Sequence, residues 1–316
     1  MEIIRGLHNL GPQPHSTQAC VATVGNFDGV HLGHAAIIQQ LKEHGARLGV
    51  PSCVMVFEPQ PREFFAPQTA PARLTTLREK AEILAEMGVD QLLCVRFDRK
   101  FCALSAAEFC ERVLVGGLGV QHLVVGDDFR FGHDRVGDFH FLEQAGATFG
   151  FGVEATRTFA LEGERVSSTR IREALAAGDF AAAQHLLGRP FGFSGRVAHG
   201  DKLGRTLGVP TANLWPNRLK SPLHGVYAVW ADLGDGARRP AVASIGARPT
   251  VGGTRWRLET HLLDFQGDLY GRRMRVEFIT RIRDEKKFSG LEELKANIDN
   301  DIQIAREIFS GISAAC

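Results

Sequence analysis

The hydrophobic pattern of this 316-residue chain changes period once, near Gly188-Arg189-Pro190, and that change limits the folds open to it. Before it, short apolar runs alternate with segments of helical spacing. Cys20–Gly25, Ser52–Phe57, Gln91–Phe97, His122–Gly126 and Phe151–Thr156 read as strands. His34–Leu48 reads as a helix with Ile37, Ile38, Leu41 and Leu48 inward; Thr75–Met87 turns Leu77, Ile83, Leu84 and Met87 inward; Ala106–Leu114 is a third helix. The proline-rich stretch Glu58–Pro71 reads as loop. Ser168–Ala177, with Ser167, Ser168 and Thr169 as capping residues, and Asp179–Leu187 close the region as helices. Such alternation predicts a parallel sheet with right-handed crossovers, whose ligand lies beyond the carboxyl ends of the strands. After the change come short alternating runs broken by Gly and Pro: Phe193–Val197, Gly225–Trp230, Ala241–Ile245, Arg257–Leu263 and Arg273–Ile279. These predict an antiparallel barrel. Gly290–Phe309 then forms a last helix, with Leu291, Leu294, Ile298, Ile302, Ala305 and Ile308 along one face. The expected class is α/β: a Rossmann-like parallel-sheet domain over residues 1–187, and an antiparallel β-barrel domain with a C-terminal helix over 188–316.

Composition supports two cores, since 44% of residues are hydrophobic and 23% charged. A net charge of +1 predicts neither a nucleic-acid partner nor an acidic membrane surface. Met1-Glu2-Ile3-Ile4-Arg5 lacks the basic-then-apolar pattern of a secretion signal, and no run approaches the roughly 20 apolar residues that span a bilayer. None of the six cysteines, Cys20, Cys53, Cys94, Cys102, Cys110 and Cys316, forms a Cys-x-x-Cys pair. Reduced, mostly buried thiols in a cytoplasmic enzyme are therefore expected.

Gly25-Asn26-Phe27-Asp28-Gly29-Val30-His31-Leu32-Gly33-His34 sits between a strand and a helix. Its glycines let backbone approach a ligand closely. His31 and His34, three residues apart, share a side of the helical first turn, near its free N–H groups. Such imidazoles can donate to phosphate oxygens as charge moves onto a departing pyrophosphate. Gly126-Asp127-Asp128-Phe129-Arg130-Phe131-Gly132 follows another strand with two adjacent carboxylates. Arg165-Val166-Ser167-Ser168-Thr169-Arg170-Ile171-Arg172 combines a helix start with guanidinium groups, a second anion site.

The barrel-like half carries Gly204-Arg205-Thr206-Leu207-Gly208-Val209-Pro210-Thr211-Ala212-Asn213, within a glycine- and base-containing loop from Gly195 to Gly208 able to cover phosphates. It is not a Gly-x-x-x-x-Gly-Lys-Ser/Thr loop. In Arg257-Leu258-Glu259-Thr260-His261-Leu262-Leu263, strand alternation puts Glu259 on one face with His261 and Leu263.

His-x-Gly-His at a strand-to-helix turn resembles the nucleotidyltransferase superfamily. The longer run Gly25–His34 is similar to the bacterial bifunctional riboflavin kinase/FMN adenylyltransferases (FAD synthetases). The Ser-Ser-Thr-x-Ile-Arg segment at Ser167–Arg172 and Pro210-Thr211-Ala212-Asn213 also resemble motifs of this family, in its order, and the likeness runs from about Thr23 to about Asp301. It implies an FMN adenylyltransferase domain over 1–187 and a riboflavin kinase domain over 188–316. It further implies that riboflavin is phosphorylated to FMN and that AMP from ATP is joined to FMN, giving FAD and pyrophosphate. The substrates are then riboflavin, FMN and ATP, with Mg2+ at both sites.

By the same resemblance His31 and His34 are catalytic, and Gly25, Phe27, Asp28, Gly29 and Gly33 surround the ATP. Asp127 and Asp128 face the nucleotide. Asp128 stands where some members have Asn, and a carboxylate there suits either a ribose hydroxyl or Mg2+. Arg165, Ser168 and Thr169 hold phosphates from the side opposite the histidines. In the barrel Gly204 lies at the ATP phosphates, Thr211 and Asn213 bind Mg2+, and Glu259 takes the proton from the riboflavin 5′-hydroxyl. Ser244 stands where the family commonly has Asn, and Arg281–Phe288 resembles its segment before the last helix. The flavin ring is expected against apolar residues around that helix, and Phe57–Pro61 with Phe64 and Phe65 near the other flavin site. A nucleotidyltransferase for another phosphate-bearing acceptor would explain His31 and His34 but not Pro210–Asn213 or Glu259. A flavin-binding regulator with decayed sites would have lost one of His31, His34, Asn213 or Glu259, and all four are present.

Overall fold

The computed structural model of the chain describes residues 1–10, 19–157, 159–161, 163–200, 203–250 and 253–314. Cys316, expected as a reduced thiol, and residues 201 and 202 of the Gly195–Gly208 loop lie outside them. The chain forms two compact units, Met1–Pro71 with Leu77–Ser167, and Ala72–Thr76 with Ser168–Cys316.

The first unit runs β1 (Glu2–Arg5), β2 (Cys20–Val24), α1 (Leu32–Leu48), β3 (Ser52–Glu58), α2 (Pro61–Phe65), α3 (Leu77–Glu86) and β4 (Gln91–Arg96). It continues with α4 (Arg99–Cys102), α5 (Ala106–Glu108) leading into a π-helical stretch Phe109–Val115, β5 (Val120–Val125), α6 (Phe139–Phe149) and β6 (Gly152–Ala155). A short antiparallel hairpin, β7 (Ala160–Leu161) and β8 (Glu164–Arg165), ends it. The six main strands are parallel, in the order β1-β4-β3-β2-β5-β6. All five residues of β2 are buried. Cys20, Ala22 and Val24 enter one apolar cluster and Val21 the other, as expected of a central strand covered on both faces. The chain leaves β2 through α1 toward β3, and later returns to the other side of β2 as β5. The carboxyl ends of β2 and β5 therefore flank the crevice where strand order reverses.

Several expectations are modified. The Glu58–Pro71 stretch contains α2. Pro61 occupies its first turn, where a missing N–H costs nothing, and Gln60 N donates to Glu63 Oε2 at 3.0 Å. Leu48 is 42% exposed, because α1 stops at the left-handed Gly49 before that face reaches the sheet. Strand β1 and helix α6 lie outside the elements that the hydrophobic pattern predicts. β1 is a short edge strand with exposed Glu2 and Arg5. α6 is recognisable mainly by its caps, Asp138 accepting from Phe141 N and left-handed Gly150. None of the five cysteines of the described residues is in a disulfide, and four of them are buried. Burial pushes the Cys110 thiol up to about 11, so it behaves as a small apolar side chain.

The second unit runs α7 (Ser168–Ala177), α8 (Phe180–Leu187), β9 (Gly192–Arg196), α9 (Leu203–Thr206), β10 (Ala212–Leu214), β11 (Gly225–Asp232), β12 (Arg238–Thr250), β13 (Gly253–Leu262), β14 (Arg273–Arg283) and α10 (Leu291–Ala314). Its six strands are antiparallel, in the order β10-β13-β12-β11-β14-β9. A bridge between Ala198 and Asn213, with Ala198 N donating to Asn213 O at 2.9 Å, joins the two ends of that order into a near-barrel. Inside it the rings of Phe193, Tyr227 and Phe278 pack edge to face. Along β13, Leu258, Thr260 and Leu262 are buried, while Arg257, Glu259 and His261 point to the outer face. Helix α10 covers part of that face. Ala305 and Phe309 pack on Val226, Ala228, Val242 and Leu263, with Ile302 and Ile308 beside them.

Candidate active sites

The Gly25–His34 run leaves the carboxyl end of β2 and becomes the first turn of α1. Phe27 (φ 47°), Gly29 (φ 83°) and Val30 (φ 42°) all adopt left-handed backbone. For a β-branched residue that conformation costs about 1–3 kcal/mol and persists only where packing over-determines it. Here Phe27 and Val30 are buried, and so is Asp28. Lys80, itself buried on α3, donates from Nζ to Asn26 O at 2.5 Å and ties the loop down. Nothing in the sequence marks that lysine, since helical spacing alone marks only apolar neighbours.

The strained loop delivers two histidines as reciprocal caps. His34 N donates to His31 Nδ1 at 3.3 Å, and His31 N donates to His34 Nδ1 at 3.2 Å. The rings stack at 3.7 Å between centroids, and Phe27 stacks on His34 at 4.6 Å. An imidazole nitrogen that accepts a backbone N–H carries no proton. In each neutral ring the proton is therefore on Nε2, so the pair offers two Nε2–H donors. Gly33 permits this packing, because a Cβ there would sit 3.1 Å from the His31 ring and 3.3 Å from Val166 O. The backbone after Arg165 thus passes along the first turn of α1. At Gly25 a Cβ would meet the Phe27 ring at 3.2 Å.

Asp127 and Asp128 are exposed in the turn after β5, the sheet neighbour of β2. The two strands bring the histidine loop and the carboxylate turn to one end of the sheet. Arg165 is exposed on β8, and Ser168 and Thr169 form the first turn of α7 in the second unit. Phe57, Phe64 and Phe65 cluster with Phe97, Phe64 and Phe65 each edge to face on it at 5.6 and 5.7 Å.

In the barrel, strand pairing places Asn213 of β10 and Ser244 of β12 directly opposite Glu259 of β13, on either side of it. Directly paired residues share a face, so the three side chains form one row. Arg257 Nη2 lies 2.8 Å from Glu259 Oε1 and fixes the carboxylate. His261 Nδ1 lies 2.8 Å from Pro210 O. The row opens on a cavity of about 1040 Å³, also lined by Gly204 and Thr211, with Leu294, Ile298 and Ile302 of α10 opposite. Arg283 reaches across to Asp301 of α10 with two bonds of 2.8 Å.

Asn213 is buried; its Nδ2 donates to Thr211 O at 3.4 Å, while its Oδ1 has no hydrogen-bond partner. A buried carbonyl oxygen left without a donor is a suitable ligand for a hard cation. The backbone is thinned around it: a Cβ on Gly200 would lie 2.6 Å from the Asn213 amide, and one on Gly204 would lie 2.4 Å from Val209 O and 3.4 Å from Thr211 Oγ1.

The family model for FAD synthetase matches residues 13–170, and that for riboflavin kinase matches residues 187–309. A protein of Pseudomonas fluorescens is 57% identical over 309 residues, spanning 98% of each chain. One of Escherichia coli K12 is 55% identical over 310 residues, again 98% of each. Both are named bifunctional riboflavin kinase/FMN adenylyltransferase. A crystal structure from Streptococcus pneumoniae, named a macrolide-efflux protein, shares 29% sequence identity at a TM-score of 0.77, covering 97% of this chain and 99% of its own. Among the described residues of this chain, no helix is long and apolar enough to cross a membrane.

Proposed function

The chain belongs to the bifunctional riboflavin kinase/FMN adenylyltransferase family, and we propose that the two constellations described above divide its two reactions between them. The enzyme phosphorylates riboflavin to FMN with ATP, then transfers AMP from ATP to FMN, giving FAD and pyrophosphate. In this reading residues 1–187 carry adenylyl transfer and 188–316 the kinase.

For adenylyl transfer the FMN phosphate attacks the α-phosphorus of ATP, and the bond to pyrophosphate breaks. The observation that carries the assignment is the reciprocal His31–His34 cap, which puts the ring proton of both imidazoles on Nε2 at a helix N-terminus. They stabilise charge building on the bridging and non-bridging oxygens of the leaving group. Gly25, Phe27, Asp28, Gly29 and Gly33 shape the strained loop around the nucleotide. Asp127 and Asp128 meet its ribose or a cation, and Arg165, Ser168 and Thr169 hold phosphate.

For phosphoryl transfer Glu259 takes the proton of the riboflavin 5′-hydroxyl as its oxygen attacks the γ-phosphorus of ATP, the bond to the β–γ bridging oxygen breaks and ADP leaves. Arg257 orients the carboxylate. The orphan Asn213 Oδ1 and the Thr211 hydroxyl would hold Mg2+, which neutralises phosphate charge when bound. Gly200 and Gly204 leave room for phosphate, and the α10 side of the cavity receives the flavin ring. A cytoplasmic location belongs to the same reading, and the five described cysteines that form no disulfide support it.

Chromatography of riboflavin, FMN and FAD over time, with ATP and Mg2+, tests the division. Glu259→Ala should form no FMN from riboflavin yet convert FMN to FAD. His31→Ala should do the reverse. If either variant, still folded, lost both conversions, the two-site assignment would be wrong.

A further inference from the structure

A cluster that neither reaction uses lies in the first unit, at the far end of α1. His44 of α1, His122 of β5 and Glu154 of β6 each offer a metal-ligating atom, and these atoms lie within 4.8 Å of one another. His44 is 13 residues beyond the cap His31, about 20 Å along the helix axis. We propose that His44, His122 and Glu154 form a site for one divalent transition-metal ion, zinc being the best match, which ties the end of α1 to β5 and β6.

The donor set supports this. Two imidazoles and one carboxylate are borderline ligands suited to Zn2+, with a fourth position left to water. Glu154 Oε2 lies 2.6 Å from His44 Nε2 and 3.6 Å from His122 Nε2. Its other oxygen accepts from Gln40 Nε2 at 2.5 Å, and Gln40 Oε1 in turn accepts from Arg157 N at 3.2 Å. Glu154 is thus oriented by an outer partner, as metal-binding carboxylates are. His122 Nε2 is buried without a hydrogen-bond partner, an acceptor or donor that the protein itself leaves unused. The His122 ring rests on Gly152, where a Cβ would come within 2.2 Å of Nδ1, and it stacks on His44 at 3.9 Å. Ligand atoms on one tetrahedral zinc sit about 3.3 Å apart, so the widest pair need close by no more than about 1.5 Å, within reach of side-chain rotation.

Arg47 sets the cost of loading. Its Nη2 lies 2.6 Å from His44 Nδ1, so without metal the His44 proton is on Nε2 and points at Glu154. Binding through Nε2 moves that proton's place to Nδ1, a change of tautomer with no net proton release. The exposed Arg47 must then turn away.

Titration calorimetry of the chelator-treated full-length protein with Zn2+, in the absence of nucleotide, tests the proposal. One ion per chain is expected to bind and to raise the melting temperature. His122→Phe, which keeps the stacked ring, and Glu154→Gln should each weaken binding at least about tenfold, with unchanged circular dichroism. Arg47→Ala should tighten it. Absence of saturable binding, parental affinity in His122→Phe or in Glu154→Gln, or an Arg47→Ala affinity no better than that of the parent would each overturn the site.

Discussion

His31 and His34 each hold the other's backbone N–H through Nδ1, so losing one ring removes both an imidazole and a cap. His34→Ala is therefore expected to lower FAD formation by about 10²–10³-fold, the range for deleting one preorganised donor. Riboflavin-to-FMN conversion, measured in the same samples, should be unchanged. In the barrel the sensitive position is a glycine. A methyl group on Gly200 would lie 2.6 Å from the Asn213 amide, too close for both to stay in place. Gly200→Ala should displace Asn213 Oδ1, so FMN formation falls and more Mg2+ is needed to restore it. A kinase titration against Mg2+ that matched the parent would refute that role for Asn213. The His31/His34 motif was legible in the sequence because its parts are contiguous and their spacing matches a helical turn. Lys80 was not, because its partner Asn26 is 54 residues away and only packing puts a cation under that loop.

At the scale of elements, α10 is held over the cavity beside Glu259 by apolar contacts at one end and by the Arg283–Asp301 pair beside the cavity. Asp301 keeps only 4% of its side-chain surface exposed, while Arg283 keeps 23%. Removing one partner of a buried pair strands the other charge, but the exposure of Arg283 softens the penalty. Asp301→Ala should cost roughly 2 kcal/mol in denaturant unfolding and raise the KM for riboflavin more than that for ATP. Equal effects on the two KM values would argue against flavin binding on the α10 side. The elements themselves were unevenly legible. The buried strands β2 to β5 announced themselves as apolar runs. α2 was hidden within a proline-rich stretch, since Pro61 serves as a helix start and not as a breaker. β1 was hidden because a four-residue edge strand with exposed charges has no clear period.

At the scale of the molecule, the proposed division of the two reactions predicts that defects complement. A mixture of His31→Ala and Glu259→Ala proteins should make FAD from riboflavin, FMN passing through solution between them. Neither protein alone should do so. Failure of the mixture, with each variant retaining its own conversion, would mean that FMN is not released. The sequence by itself determined that a parallel α/β half precedes an antiparallel one, and it already held the Gly25–His34 and Pro210–Asn213 runs as contiguous motifs. Both are carried by local pattern: strand and helix periods, and residues that must be neighbours in the chain to share one turn. Only the tertiary structure decided the rest. Strand pairing set Asn213 and Ser244 opposite Glu259, residues 46 and 15 positions away from it, because register is fixed by which face each strand buries. Packing left Asn213 Oδ1 without a donor and gathered His44, His122 and Glu154 from one helix and two strands. Such groupings leave no mark on sequence spacing, since what joins them is the sheet order and the burial it imposes.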